Sequence, residues 1–242
     1  MAERSERARQ ETFIRFTVVV DRERTVSARL YPAAPQGRLH ATLLLGHGAG
    51  ADQGSFFMVE FARSLSARGI DTVTFNFPYT EERRRIPDRQ AVLEAAYRAA
   101  LAAAEGRAEV KGNLVFIGGK SLGGRIASHV AAQADALPVQ VAGLVFLGYP
   151  LHPPGRPDER RDRHLPGIER PMLFVQGERD AFGTADELRP LVARLPGAEL
   201  HVVAGGNHSL EVPKRAPVGQ EKVFEAVQDH VAAWIKNRLS SG

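Results

Sequence analysis

The chain has 242 residues, of which 43% are hydrophobic, and this amount of apolar material suits one well-buried core better than two. The absence of cysteine excludes disulfides, thiolate metal sites and cysteine nucleophiles. The formal net charge is only +4, and the arginines alternate with acidic residues without interleaved aromatic residues, so we expect no nucleic-acid partner.

The predicted elements begin with a charged arm over residues 1–11, followed by an antiparallel hairpin. The two strands of the hairpin are FIRFTVVV (13–20) and TVSARLYP (25–32), which flank the polar stretch DRER. The arm lacks the apolar segment of a secretory signal, and no apolar run in the sequence reaches the roughly 18 residues of a membrane-spanning helix. We therefore expect a cytoplasmic protein that does not associate with a membrane.

From residue 41 onward, predicted strands alternate with predicted helices. The strands are continuous apolar runs, typical of strands buried on both faces, and the helices show apolar residues at helical spacing. The strands are ATLLLGHG (41–48), DTVTFNFP (71–78), NLVFIGG (113–119), VAGLVFLGYP (141–150), PMLFVQGERD (171–180) and ELHVVAGG (199–206). The helices lie over 56–69, 87–106, 121–133 and 185–195, and a last one lies near the C-terminus. This alternation predicts an α/β fold over residues 1–242, a single domain with a mostly parallel central sheet and helices on both faces.

The stretch GGKSLGG, at residues 118–124, could be a phosphate-binding loop or a turn that presents a nucleophilic serine. A P-loop, G-x-x-x-x-G-K-[ST], requires glycine at position 114, where the sequence has leucine within an apolar strand. Residues 119–123 instead fit the elbow motif G-x-S-x-G, in which a serine sits on a sharp turn between a strand and a helix. The motif alone also arises by chance in a plain glycine-rich turn, so its partners decide the interpretation.

A nucleophilic serine needs a base that takes its proton and an acid that orients the base. Asp180 directly follows one predicted strand and His208 another, so both side chains are expected at the same edge of the sheet as Ser121. The alternative acids are Glu178, which is close to the same strand, and Asp158 and Asp162, which lie in a charged loop. The sequence therefore predicts a catalytic triad of Ser121, His208 and Asp180.

Two backbone amides are expected to form an oxyanion hole beside the serine. One belongs to Leu122, and the other follows the first core strand, in HGAG (47–50), where we expect Ala49, with Gly50 as the alternative. The predicted substrate-lining residues are Lys120, Tyr79, Tyr149 and His152. We expect neither a cofactor nor a metal ion.

The motifs HGAG, FNFP, GKSLGG, GERD and GGNHS occur in this order, and the chain resembles the α/β-hydrolase superfamily over nearly its whole length. It is similar to the small, lidless branch near the dienelactone-hydrolase-like proteins. The segment LGYPLHPPGRPDERRDRHLPGIERPMLFVQG is similar to predicted hydrolases related to testis-expressed and non-specific-lethal complex proteins. Lys120 departs from ordinary esterases, which commonly have His, Phe or Tyr beside the serine.

The resemblance implies catalytic roles for Ser121, Asp180 and His208 and a fold without a cap domain. It also implies a serine hydrolase that acts on a small-molecule acyl substrate: an ester, a thioester or a lactone. Two alternatives are a non-catalytic binding or scaffold protein on a hydrolase fold, and an acyltransferase or perhydrolase that uses the same triad. The sequence does not define the substrate or the oligomeric state.

Overall fold

The structure, a computed structural model, describes residues 13–239, so the arm predicted over 1–11 lies outside the described residues. The strands are β1 Ile14–Val19, β2 Thr25–Tyr31, β3 Ala41–Gly46, β4 Ile70–Phe75, β5 Leu114–Lys120, β6 Val141–Leu147, β7 Met172–Gly177 and β8 Ala198–Val203. The helices are α1 Phe56–Ala67, α2 Pro78–Glu81, α3 Gln90–Glu105, α4 Leu122–Ala131, α5 Ala185–Val192 and α6 Gln220–Leu239. Short 3₁₀ turns cover Ala108–Val110, Ala134–Ala136 and Leu165–Gly167.

The eight strands form one sheet in the order β1-β2-β4-β3-β5-β6-β7-β8. The strand pairs β1/β2 and β2/β4 are antiparallel, and every other neighbouring pair is parallel. The predicted α/β-hydrolase fold, with its N-terminal hairpin and mostly parallel sheet, is confirmed.

Helices cover both faces of the sheet, which explains the continuous apolar runs of its inner strands. Helices α1 and α6 pack on one face, where Phe61 and Val231 belong to the same buried cluster. Helices α3, α4 and α5 pack on the other face, where Tyr97, Ile126 and Leu188 belong to a second cluster. Burial of these two apolar layers drives the formation of the sheet and fixes its position between them.

The connections between strands include one helix that was not predicted and one short connection that was. The short helix α2 replaces part of a predicted polar loop, because Pro78 suits a first helical position and the Thr80 amide donates to Phe77 O at 2.9 Å. The connection from β6 to β7 contains only a 3₁₀ turn, so the predicted absence of a cap domain is confirmed.

Among residues 13–239, no helix combines the length and hydrophobicity needed to cross a bilayer.

The parallel strands place their carboxyl ends at a single edge of the sheet. Ser121 follows β5, Asp180 lies three residues beyond β7, and His208 lies beyond β8. Ligands of open α/β sheets bind at this edge, which is where the predicted site residues converge.

Candidate active site

Three side chains from three different strand ends meet in one hydrogen-bonded row. His208 Nε2 lies 2.7 Å from Ser121 Oγ, and His208 Nδ1 lies 2.7 Å from Asp180 Oδ2. An ionised carboxylate only accepts hydrogen bonds, so Nδ1 carries the proton and Nε2 is free to accept the serine hydroxyl proton. The order of donors and acceptors is that of a serine nucleophile activated by histidine.

Ser121 lies on a turn so tight that it is the single residue between β5 and α4. Its backbone has φ 49° and ψ −112°, a conformation that costs a residue with a side chain about 1–3 kcal/mol. A β-carbon on Gly119 would lie 2.3 Å from Gly46 O, and one on Gly123 would lie 2.0 Å from the same oxygen. The two glycines therefore allow β3, β5 and α4 to approach closely enough to hold the serine in this strained position.

The carboxylate of Asp180 is completely buried, and the three groups that contact it all donate hydrogen bonds. Besides His208, Gln176 Nε2 donates to Oδ2 at 2.8 Å, and the Phe182 amide donates to Oδ1 at 2.8 Å. Gln176 is itself fixed, since its Oε1 accepts from the Tyr149 amide at 2.8 Å. A buried carboxylate with this number of donors is held in one orientation.

The alternative acids do not contact His208. Glu178 accepts a hydrogen bond from the Gly205 amide at 2.6 Å, and Asp162 accepts one from Arg160 Nε at 3.0 Å. Asp158 is exposed on the loop after β6. Asp180 is the acid that the structure places against His208.

Lys120 contacts the backbone of the histidine rather than the serine. Its Nζ donates to His208 O at 2.7 Å, and the side chain is almost fully buried. Burial lowers the pKa of Lys120 to about 8, while the charges of Asp180 and Glu211 oppose this shift. At pH 7 most molecules therefore carry a buried ammonium group that anchors the histidine loop.

The environment of His208 keeps its ring neutral near pH 7. Burial is the largest cause that lowers the pKa of His208; the hydrogen bond to Asp180 raises it, and the charge of Lys120 lowers it. The ring also stacks at a tilt against Phe182, with 4.2 Å between the ring centroids. A neutral, oriented imidazole is the form that can accept a proton from serine.

The loop after β3 is fixed by His47, which is buried. Its Nε2 accepts a hydrogen bond from the Phe77 amide at 3.1 Å, so its Nδ1 carries the proton and donates to Gly48 O at 2.9 Å. Burial lowers the pKa of His47, which keeps the ring in this neutral form. The loop places Ala49 beside the cleft, and no group among residues 13–239 accepts a hydrogen bond from its amide. Leu122 is the first residue of α4, and its amide likewise has no partner within the helix.

A cleft of about 680 Å³ exposes Ser121 and His208 to solvent. Its apolar wall includes Phe56, Phe57, Met58, Leu93, Phe182 and Phe224. The charged residues that line it are Asp88, Lys120, Arg125, Arg161 and Glu211.

Of the four predicted substrate-lining residues, Lys120 lines this cleft and three do not. Tyr149 is fully buried, and its hydroxyl donates to Arg161 O at 2.7 Å. His152 is buried against Glu187, with 3.1 Å between Nε2 and Oε1. Tyr79 is buried beside the ring of His47, with 5.9 Å between centroids. These three side chains therefore support the loops around the cleft. Their sequence positions did not reveal this, because aromatic residues next to strand ends pack inward as readily as they face a ligand.

Sequence reasoning missed Gln176, Arg125 and Arg161. Gln176 left a signal, since it is the single polar residue in the otherwise apolar strand MLFVQG (172–177). The two arginines left none, because nothing in a chain rich in surface arginine separates them from solvated side chains.

The chain is similar to known proteins both in sequence family and in fold. The model of the family described as "Alpha/beta hydrolase domain" matches residues 39–236. A dienelactone hydrolase from Anabaena variabilis is 20% identical, with a TM-score of 0.70 over 93% of this chain and 98% of that one. A lidless α/β serine hydrolase from Xanthomonas campestris is 18% identical, with a TM-score of 0.67 over 93% and 95% of the two chains. At these identities the two structures show a common fold.

One curated protein shares a shorter stretch. The (R)-3-hydroxydecanoyl-ACP:CoA transacylase of Pseudomonas aeruginosa is 33% identical over 70 residues, which are 29% of this chain and 21% of that protein. The match therefore spans about a fifth of the curated relative.

Proposed function

The chain belongs to the alpha/beta hydrolase domain family, and from that premise we propose that it is a serine hydrolase that cleaves a small ester, thioester or lactone. The resemblance of the sequence to the α/β-hydrolase superfamily is confirmed by the family model, and a dienelactone hydrolase and a lidless serine hydrolase share the fold. The observation that carries the proposal is the continuous row Ser121–His208–Asp180, with 2.7 Å at both hydrogen bonds.

In the first step, Ser121 Oγ attacks the carbonyl carbon of the substrate while His208 Nε2 takes the hydroxyl proton. The imidazolium that forms is stabilised by the buried carboxylate of Asp180, which holds the ring in place. The strained turn presents Ser121 to the cleft, where a substrate can bind.

The amides of Leu122 and Ala49 are the groups that stabilise the negative charge of the tetrahedral intermediate. The Leu122 amide is at the N-terminus of α4, where the helix dipole favours an anion, and the loop fixed by His47 presents the Ala49 amide. When the intermediate collapses, His208 gives its proton to the leaving oxygen or sulfur, and the acyl group remains on Ser121. Water activated by the same imidazole then releases the acid and restores the serine.

Acyl transfer is the second candidate, and the similarity to the Pseudomonas aeruginosa transacylase favours it. The acyl-enzyme is shared by both reactions, which differ in whether water or a thiol or alcohol takes the acyl group. Product analysis with an acyl thioester, in the presence and absence of an acceptor thiol, separates them. The alternative of a non-catalytic scaffold is disfavoured by the buried, fully hydrogen-bonded carboxylate behind His208.

We expect a fluorophosphonate probe to add one covalent group to the wild-type protein and none to Ser121→Ala. The reason is that the probe reacts with a serine whose proton has an acceptor, and Ser121 is bonded to His208. Intact mass spectrometry measures the adduct. Ser209→Ala is the matched control, since Ser209 lines the same cleft and makes no hydrogen bond to the imidazole ring. If wild type and Ser121→Ala are equally unlabelled, the serine-hydrolase proposal is wrong.

Replacing Lys120 by Met should move the acid limb of the pH–rate profile to higher pH. The reaction needs neutral His208, and its lowered pKa keeps the wild type active below pH 6.5, the ordinary pKa of histidine. The Lys120 charge lowers this pKa, so removing the charge raises it and the variant loses activity at a higher pH than the wild type does. The measurement is kcat/KM against pH from 4.5 to 8, with the exposed Lys222→Met as control. An unchanged acid limb would show that Lys120 acts on the histidine loop by its hydrogen bond alone.

A further inference from the structure

Two guanidinium groups in the cleft have no partner within the described part of the chain. Arg125 and Arg161 both line the cleft next to Ser121, and both are half-buried. Neither side chain makes a hydrogen bond or ion pair within residues 13–239, and Arg125 Nε has neither exposed surface nor an acceptor. Most half-buried arginines among residues 13–239 are paired with an acid; Arg38 with Asp71, at 2.8 Å, is one example.

The acidic groups near the two arginines already have other partners. Asp162, next in sequence to Arg161, accepts from Arg160 Nε at 3.0 Å. Asp88 accepts from Arg84 Nη2 at 2.7 Å, and Glu211 accepts from a side-chain amide of its own loop at 3.1 Å. The third cation of the cleft, Lys120, is engaged with the backbone of His208. The uncompensated charge in the cleft therefore belongs to Arg125 and Arg161.

Two unpaired cations that line the same cleft repel each other. Burial lowers the pKa of Arg125, and the neighbouring charge of Arg161 lowers it further. Arginine nevertheless keeps its proton at any physiological pH, so the repulsion is not relieved by deprotonation. An anion bound between the two groups relieves the repulsion and accepts hydrogen bonds from the guanidinium groups that line the cleft.

We propose that Arg125 and Arg161 bind a carboxylate carried by the acyl group of the substrate, so that the enzyme prefers esters, thioesters or lactones of acids with a second carboxyl group. This inference rests on the proposed function and names its substrate class. A guanidinium fork matches a carboxylate with two parallel hydrogen bonds, and two forks in one cleft can orient it completely.

The position of Arg125 places this carboxylate close to the reacting carbonyl. The Arg125 amide donates to Ser121 O at 3.0 Å, so the two residues are one helical turn apart on the same face of α4. Side chains at this spacing have β-carbons about 5–6 Å apart. An anion held there is a few bonds from the carbonyl that Ser121 attacks, which favours a substituent of the acyl group over a phosphate of a distant leaving group.

The first test compares two esters that differ in one charge, the mono-4-nitrophenyl ester of adipic acid and its methyl-capped form, 4-nitrophenyl methyl adipate. With the spontaneous rates subtracted, we expect kcat/KM to be about 10- to 100-fold higher for the charged ester, the range of a charge-assisted hydrogen-bond pair. The ratio should fall toward one in Arg125→Gln and Arg161→Gln and recover partly in Arg125→Lys. Arg156→Gln is the matched control, because Arg156 is exposed on the same loop as Arg161. Equal kcat/KM for the two esters would overturn the carboxylate site and leave the serine-hydrolase proposal standing.

The second test measures binding without turnover, so that it remains decisive if neither ester is hydrolysed. Monomethyl adipate, dimethyl adipate and inorganic phosphate are titrated into Ser121→Ala protein and followed by calorimetry. We expect monomethyl adipate to bind at least tenfold more tightly than dimethyl adipate, and to lose this advantage when Arg125→Gln is added. Equal binding of the two esters, or tighter binding of inorganic phosphate that depends on Arg125, overturns the assignment. Failure of the fluorophosphonate labelling, with the binding result intact, would instead overturn the proposed function alone.

Discussion

Asp180→Asn is expected to lower kcat/KM by about 10⁴-fold while leaving the protein folded. In the wild type, Oδ2 accepts from His208 and Gln176, and Oδ1 accepts from the Phe182 amide. An asparagine amide at the Oδ2 position faces the Gln176 donor, and the only way to pair it with His208 is to move the imidazole proton to Nε2. That tautomer points a proton at Ser121 Oγ and has no lone pair left to accept one. Turning the asparagine around places its NH₂ group against the Phe182 amide instead, which again sets a donor against a donor.

The substrate is not needed to measure this loss. The second-order rate of fluorophosphonate labelling reports how readily His208 takes the Ser121 proton, and hydrolysis of 4-nitrophenyl acetate gives an independent value. Asp186→Asn makes the same chemical change on the exposed surface of α5 and should keep the wild-type rate. If Asp180→Asn retains more than a tenth of the wild-type labelling rate, Asp180 does not orient the base.

The sheet and the convergence of Ser121, Asp180 and His208 could be read from the sequence because each depends on local signals. Continuous apolar runs predict buried parallel strands, and residues that follow such strands must share an edge whatever the details of packing. The structure brings the three side chains together at that edge. The prediction was less successful where a side chain has a choice of directions.

Tyr149 illustrates that limit. It follows β6 at the same edge, yet its hydroxyl reaches Arg161 O and its ring is buried, because the loop after β6 folds over it. Lys120 lines the cleft, but its ammonium donates to the backbone of His208, which lies 88 positions away in sequence. Contacts between loops of different strand ends set these directions, and no periodicity in the sequence encodes them.

The glycines around the serine show the opposite behaviour, since the short motif G-x-S-x-G (119–123) encodes a contact between elements that are distant in sequence. Gly123 lies in the first turn of α4, and Gly46 ends β3, 77 residues earlier by their numbers. The two backbones are so close that a β-carbon on Gly123 would lie 2.0 Å from Gly46 O and 2.2 Å from its carbon. The obstacle is backbone on both sides, so no side-chain rotation relieves it.

Gly123→Ala is therefore expected to lower the free energy of unfolding by about 3 kcal/mol or more, at the upper end of the cost of overpacking a core. Urea denaturation measures this loss, and Gly167→Ala is the control, because a β-carbon on Gly167 meets nothing within 4 Å. An unfolding free energy within 1 kcal/mol of the wild type would contradict the close approach of α4 and β3. A folded but destabilised variant should also label slowly with fluorophosphonate, since any shift that admits the methyl group moves α4 away from β3. That shift separates the Leu122 amide from the Ala49 loop, so one methyl group weakens both the core and the proposed oxyanion hole.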